Sequence, residues 1–149
     1  MNTMKTLTKT LLSASVLAAS LAGLSSAEDS KAALTLEIAG VAPSEGFVMI
    51  GIYDSEASWD SGSAVAGTRA EVSGGQVVAV FEDLPAGRYG VKMYHDVNAN
   101  GEMDTNLMGI PSEPFAFSNN ARGRFGPPNW DAAVFDVAAD GTVHAIRFE

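Results

Sequence analysis

Asp96, Asn98 and Asn100 place side-chain oxygens at every second position of the run D-V-N-A-N-G-E-M-D, residues 96–104. Gly101 then allows a sharp turn, and Asp104 returns a second carboxylate. This is the front half of an EF-hand-like calcium loop, where oxygens at positions 1, 3, 5 and 9 surround a hard cation and position 6 is glycine. Calcium takes about six to eight oxygens. Asp96, Asn98, Asn100 and Asp104 would give four, and the backbone carbonyl of Glu102 a fifth. A complete loop carries a bidentate Glu at position 12, but that position is Leu107 here. Glu113, nine residues after Asp104, is the expected replacement, with Asp131 and Asp136 as weaker candidates. Two or three carboxylates with neutral Asn partners predict weak binding, at about 10⁻⁴–10⁻³ M as in extracellular modules. The alternative is a purely structural domain without metal, in which 96–104 is a plain hairpin turn. Asn100-Gly101 is a favoured type I′ pair, but such a turn alone does not require Asp at both ends.

Other chemistry has less support. The chain has no Cys, so thiol catalysis is excluded. Its two histidines are His95, directly before the loop, and His144, which alternates with Ile146 and Phe148 in a strand-like run. Ser112 or Ser118 would need one of these as a base, and no nucleophile-elbow sequence is present. Zinc held by both histidines and a carboxylate is unsupported by spacing. Paired acids for glycoside hydrolysis can be drawn from any acidic chain, so they carry little information. The reading is therefore a non-enzyme, with a small secreted hydrolase of unknown class as the alternative.

A second candidate site follows the loop. Asn106 to Trp130 shows no periodicity over 25 residues and contains four prolines and three glycines. Loops of this length in compact domains are usually functional or disordered. Ile110, Phe115, Phe117, Phe125 and Trp130 supply apolar mass that disordered segments lack, so an ordered loop 106–130 is expected. Phe115, Phe117 and Trp130 with Asn119, Asn120, Arg122 and Arg124 mix aromatic faces and hydrogen-bonding groups suited to a glycan or a protein. The competing reading packs the aromatics as loop core and pairs the arginines with surrounding acids.

The elements that must hold these residues read as strands. Leu34, Leu36 and Ile38 alternate with polar positions, Val48, Ile50 and Ile52 share one face, and Val78 with Val80 and Tyr89 with Val91 and Met93 recur at period two. Thr68–Val72, Ala133–Val137 and Thr142–Phe148 complete about seven short strands separated by Gly-rich turns. That pattern predicts an all-β chain folded as a single antiparallel β-sandwich. Ser55–Ala66 is the one place for a short helix, with Trp59 packed inward. In L-P-A-G-R-Y, residues 84–89, Leu84 and Tyr89 are expected to pack across the turn. The motif resembles the "L-P-x-G-x-Y" turn of transthyretin-like and pilin-repeat-like immunoglobulin-type sandwiches.

The run Y-H-D-V-N-A-N-G-E-M-D-T-N-L-M-G-I-P-S-E-P-F-A-F-S-N-N, residues 94–120, is similar to the signature of an uncharacterised bacterial exported family, domain of unknown function family 2141. The downstream F-G-P-P-N-W-D-A-A-V-F-D-V, residues 125–137, matches it too. The resemblance implies a small exported β-sandwich and carries no activity. One departure is Ala116, where the family pattern favours Gly; a positive φ there would be strained.

The N-terminus frames the setting. Lys5 and Lys9 precede an apolar stretch from Leu11 to Leu24, and Ser25-Ser26-Ala27 offers a small-residue cleavage site. Residues 1–27 read as a cleaved signal peptide, leaving 28–149 as one domain. The apolar stretch falls short of the roughly 20 residues of a spanning helix. No Cys stands near the cleavage point to carry a lipid, and no transmembrane segment is expected after cleavage. Export places the protein in the periplasm or outside the cell, without disulfides. Loss of Lys5 and Lys9 would leave seven basic against 18 acidic residues, a formal charge of −11. Nucleic acid and anionic lipid are then poor partners, whereas calcium or a glycan or protein at the cell envelope is favoured.

Overall fold

The computed structural model describes residues 31–149, so the signal-peptide reading of 1–27 lies outside the described residues. The described chain is an all-β sandwich of two sheets. Its strands are β1 (Lys31–Ala39), β2 (Phe47–Tyr53), β3 (Ala66–Glu71), β4 (Gln76–Pro85), β5 (Gly87–Asp96), β6 (Phe115–Phe117), β7 (Phe135–Val137) and β8 (Thr142–Arg147). The smaller sheet has the order β4-β1-β8 and the larger β3-β2-β5-β6, with β7 paired to the start of β5.

Alternation fixes which face of each strand turns inward. Leu34, Leu36 and Ile38 of β1 meet Val77, Ala79 and Phe81 of β4 and, across the sandwich, Val48, Ile52 and Val91. The β1–β4 register shifts between Ala32 and Leu34. Asp83 takes a positive φ of 66° at this irregularity, and both Phe81 and Leu84 stay buried despite their odd spacing. The chain then crosses between sheets at Pro85–Gly87. Tyr89 packs in the core with Leu84 as expected, and its hydroxyl donates to the Pro85 carbonyl at 2.7 Å.

Four details go beyond the sequence reading. Among the described residues there are eight strands, because Phe115–Phe117 pairs with Lys92–Tyr94 inside the segment read as a loop. That segment is ordered, but it is not loop throughout: a 3-10 turn at Ser118–Asn120 follows β6, and a short helix begins at Trp130. The last strand pairs parallel to the first, Leu34 opposite Thr142 through Ala39 opposite Arg147, while every other strand pairing is antiparallel. Ala133 and Val134 end helix α2 (Trp130–Ala133) rather than starting a strand.

The expected short helix is α1 (Glu56–Ser61). Ser55 caps it reciprocally with Ser58, and Gly62 ends it in the left-handed region. Trp59 is fully buried in a second cluster with Tyr53, Phe117, Trp130 and Ala133. Gly90 in β5 makes room for that cluster: a Cβ there would lie 2.8 Å from the Trp59 ring and 3.0 Å from that of Trp130. Among the described residues, no helix is long and apolar enough to cross a membrane.

Candidate functional site

The 96–104 loop leaves the end of β5 as a network of side chain to backbone bonds. Asp96 is fully buried, with Oδ1 accepting from the Asn100 N–H at 3.1 Å and Oδ2 from the Gly101 N–H at 2.8 Å. Asn98 Oδ1 accepts from the Asn100 N–H, and Asn100 Oδ1 from the Glu102 N–H at 2.9 Å. These are the local turns Asp and Asn make with backbone two residues on. The positive φ angles fall on Ala99 and Gly101, not on Asn100, so Asn100-Gly101 is not a type I′ pair.

Glu113 reaches this loop. Residues 105–111 form a narrow hairpin, bridged at Thr105 and Pro111 and closed by Asn106 N–H to Ile110 carbonyl at 2.9 Å. The hairpin returns the chain to Asp104, whose carbonyl accepts from Ser112 N–H at 2.8 Å. Glu113 is buried at 7 % exposure; Oε1 accepts from the Val97 N–H at 3.0 Å and Oε2 from the Asp104 N–H at 3.1 Å. One carboxylate thus ties together both ends of the loop. Asp131 and Asp136 lie elsewhere, in α2 and β7.

The amides of Asn98 and Asn100 converge on Asp104. Asn98 Nδ2 donates to Oδ2 at 2.6 Å and Asn100 Nδ2 to Oδ1 at 3.0 Å. Among the described residues, no group of three or more His, Asp or Glu side chains gathers closely enough to hold a metal by itself. A cation here would therefore draw on amide and backbone oxygens as well as carboxylates. Binding would require the two amides to turn their oxygens toward the position their N–H groups now serve. The local field is negative. Burial raises the neighbouring Tyr94 phenol above its ordinary value, and Asp96, Glu113 and Glu102 raise it further.

The histidines have structural partners. His95 is fully buried, and its Nε2 donates to the Glu45 carbonyl at 2.6 Å. Its Nδ1 has no partner, beside the edge-on ring of Phe148. His144 stacks on Phe135 with ring centres 3.9 Å apart, and its Nε2 accepts from the Asn119 N–H at 3.1 Å. Burial lowers its pKa below the ordinary imidazole value. Ser118 is used up as well: its hydroxyl accepts from Val91 N–H and donates to the Ala133 carbonyl.

The residues expected to form one ligand loop separate into four groups. Phe115, Phe117 and Arg124 line a cleft of about 1040 Å³ over the outer face of the larger sheet. Asn119 and Asn120 adopt left-handed turns, a conformation Asn tolerates better than most residues. Asn119 Nδ2 donates to the Ala132 and Val134 carbonyls, and Asn120 Oδ1 accepts from Arg147 N–H, so both are structural. Trp130 belongs to the second core cluster, and Arg122 pairs with Glu149 beside a smaller hollow of about 280 Å³. Ala116 lies in β6 without a positive φ, so the substitution for glycine strains nothing.

A family model matches residues 36–145, which run from β1 to β8 and contain the 96–104 loop, Glu113 and the cleft. The chain belongs to this family, described as uncharacterized protein conserved in bacteria (DUF2141). No curated protein and no solved structure matches it.

The cleft in this DUF2141 domain was missed from sequence, although a signal was present. The outward positions of β2 and β5 are Met49, Gly51, Lys92 and Tyr94, all half-buried rather than freely exposed. Strand β2, F-V-M-I-G-I-Y, is apolar on both faces, which marks a strand covered on both sides. Lys92 lies over the Tyr53 and Trp59 rings at 4.7 and 4.5 Å and donates to the Trp59 carbonyl. Burial lowers its pKa, and Asp60 partly opposes that shift.

Proposed function

We propose that this DUF2141 protein is an exported binding module of the cell envelope, in the periplasm or released, and that a calcium ion clips loop 96–104 to the segment that follows. The observation carrying the reading is the Glu113 carboxylate, brought back by the 105–111 hairpin to the N–H groups of Val97 and Asp104. Its contact with both ends of the loop supports reading it as the replacement for the missing twelfth-position Glu, with Asp96 and Asp104 as the other acids. Two amide N–H groups now face the Asp104 carboxylate, and a divalent cation would meet the same negative charge more strongly.

The module is read as non-enzymatic, since the histidines and Ser118 are engaged in packing and backbone bonds. Calorimetric titration of the purified protein with calcium, paired with melting curves in calcium and in chelator, tests the clip. Weak saturable heat and a higher melting temperature in calcium are expected. Asp96→Ala and Asp104→Ala should each remove the calcium-dependent part of that shift. No heat at millimolar calcium, with identical melting in chelator, sinks the clip. A hydrolase screen with Asp104→Ala as control tests the non-enzymatic reading, and turnover by the unmodified protein would overturn it.

A further inference from the structure

The cleft over the larger sheet has a floor, a roof and a charge. Met49, Gly51, Lys92, Tyr94 and Phe115, on the outward face of the larger sheet, form the floor, and Ile110 and Phe125 of the loops beside it belong to the roof. Gly51 keeps the floor open, since a Cβ there would sit 3.2 Å from the Tyr53 ring. At about 1040 Å³ the space slightly exceeds the roughly 300–1,000 Å³ range of small-molecule sites. The cleft lining exposes apolar surface that a folded chain normally covers: Phe125 is 103 % exposed, Ile110 53 % and Phe115 48 %. Such a bounded patch marks a ligand groove.

Charge selects the ligand. The chain has 18 acidic residues against nine Lys and Arg, yet the cleft lining includes Lys92 and Arg124 and no carboxylate. Lys92 uses one donor on the Trp59 carbonyl and keeps others for a partner. Arg124 is exposed and, among the described residues, makes no ion pair. An ammonium held against apolar walls attracts an anion more strongly than one in water.

We infer that the cleft binds a single-chain amphipathic carboxylate. Its alkyl body lies between the floor of Met49, Gly51 and Phe115 and the roof of Ile110 and Phe125, and its carboxylate meets Lys92 and Arg124. The inference rests on the binding-module reading but not on calcium.

The test is a titration of the full protein with dodecanoate, dodecanol and dodecyltrimethylammonium below their aggregation limits, in calcium and in chelator. Tryptophan emission is the readout, because Trp59 lies against Lys92. Dodecanoate should saturate the change, with the alcohol at least about tenfold weaker and the cation weaker still, the scale expected of a charge-assisted hydrogen bond. Arg124→Ala and Lys92→Gln should weaken dodecanoate several-fold and leave dodecanol unchanged. Phe125→Ser, at an exposed position, should weaken both without affecting folding. Equal affinity for acid and alcohol, absence of saturation, or sedimentation with anionic phosphatidylglycerol vesicles undiminished by dodecanoate would each overturn the assignment. Dodecanoate binding that persists without any calcium heat supports the cleft while removing the clip. Calcium heat without dodecanoate binding removes the cleft ligand alone.

Discussion

Glu113 and His144 show how a side chain's partners define its role. Glu113 is a buried carboxylate whose two oxygens accept from two backbone N–H groups. Glu113→Ala leaves both donors unpaired and should cost about 1–3 kcal/mol by chemical denaturation in chelator. Glu113→Gln retains one acceptor and should cost less there, while still losing calcium-dependent stabilisation. If both variants respond to calcium like the unmodified protein, Glu113 is a structural brace only. For His144, burial lowers the folded-state pKa, so on acidification the unfolded chain takes up the proton first. The stability contributed by the neutral ring is complete above the ordinary value of about 6.5 and declines as pH falls below it. His144→Gln should flatten the fall in melting temperature between about pH 6.5 and 5. An unchanged slope would assign that fall to other groups. The sequence singled out Glu113 from one missing ligand, and the structure brings its carboxylate to the N–H groups of Val97 and Asp104. It did not distinguish Asn119 and Asn120 as turn-formers from ligand-binders, because an amide side chain serves both and only the neighbouring carbonyls decide.

Strand β5 is the element on which the domain depends. It joins β2 along one edge and β7 and then β6 along the other, and it ends at Asp96. Its inward residues Tyr89, Val91 and Met93 belong to the main core, and its outward side passes from Gly90 under the two indoles to Lys92 and Tyr94 in the cleft. Gly90→Ala places a methyl against the Trp59 and Trp130 rings, and overpacking of this kind costs about 1–3 kcal/mol. The expected result is a lower urea midpoint and altered tryptophan emission; an unchanged midpoint would mean that the second cluster repacks freely. The strand itself was legible from Tyr89, Val91 and Met93. Its outward burden was not, because alternation reports which residues share a face and not what covers it.

At the scale of the molecule, an acidic chain places a concentrated set of its acids at one end of the sheet and a cation-bearing apolar cleft beside it. The 103–111 segment serves both, since Met103 and Ile110 line the cleft and the same hairpin delivers Glu113. Calcium at about a hundred times its dissociation constant should stabilise the fold by about 2.7 kcal/mol. For a domain of this size that corresponds to a rise of several degrees in melting temperature. Sodium chloride at matched ionic strength should give a smaller rise, because screening weakens repulsion without filling a site. Equal shifts in both salts would reduce the effect to screening.

Local sequence determined every described strand but β6, the inward position of Trp59, the Asp and Asn framework of the loop and the family. Each rests on spacing within one short segment: period two for strands, alternate oxygens for the loop, and a continuous motif for the family. Tertiary structure alone decided the parallel pairing of β1 with β8, the division of the 106–130 residues among cleft, core and turns, and the existence of the cleft. Those features arise from segments far apart in the chain, such as Met49 and Phe125 lining one cleft, and no local period encodes which distant segments will come together.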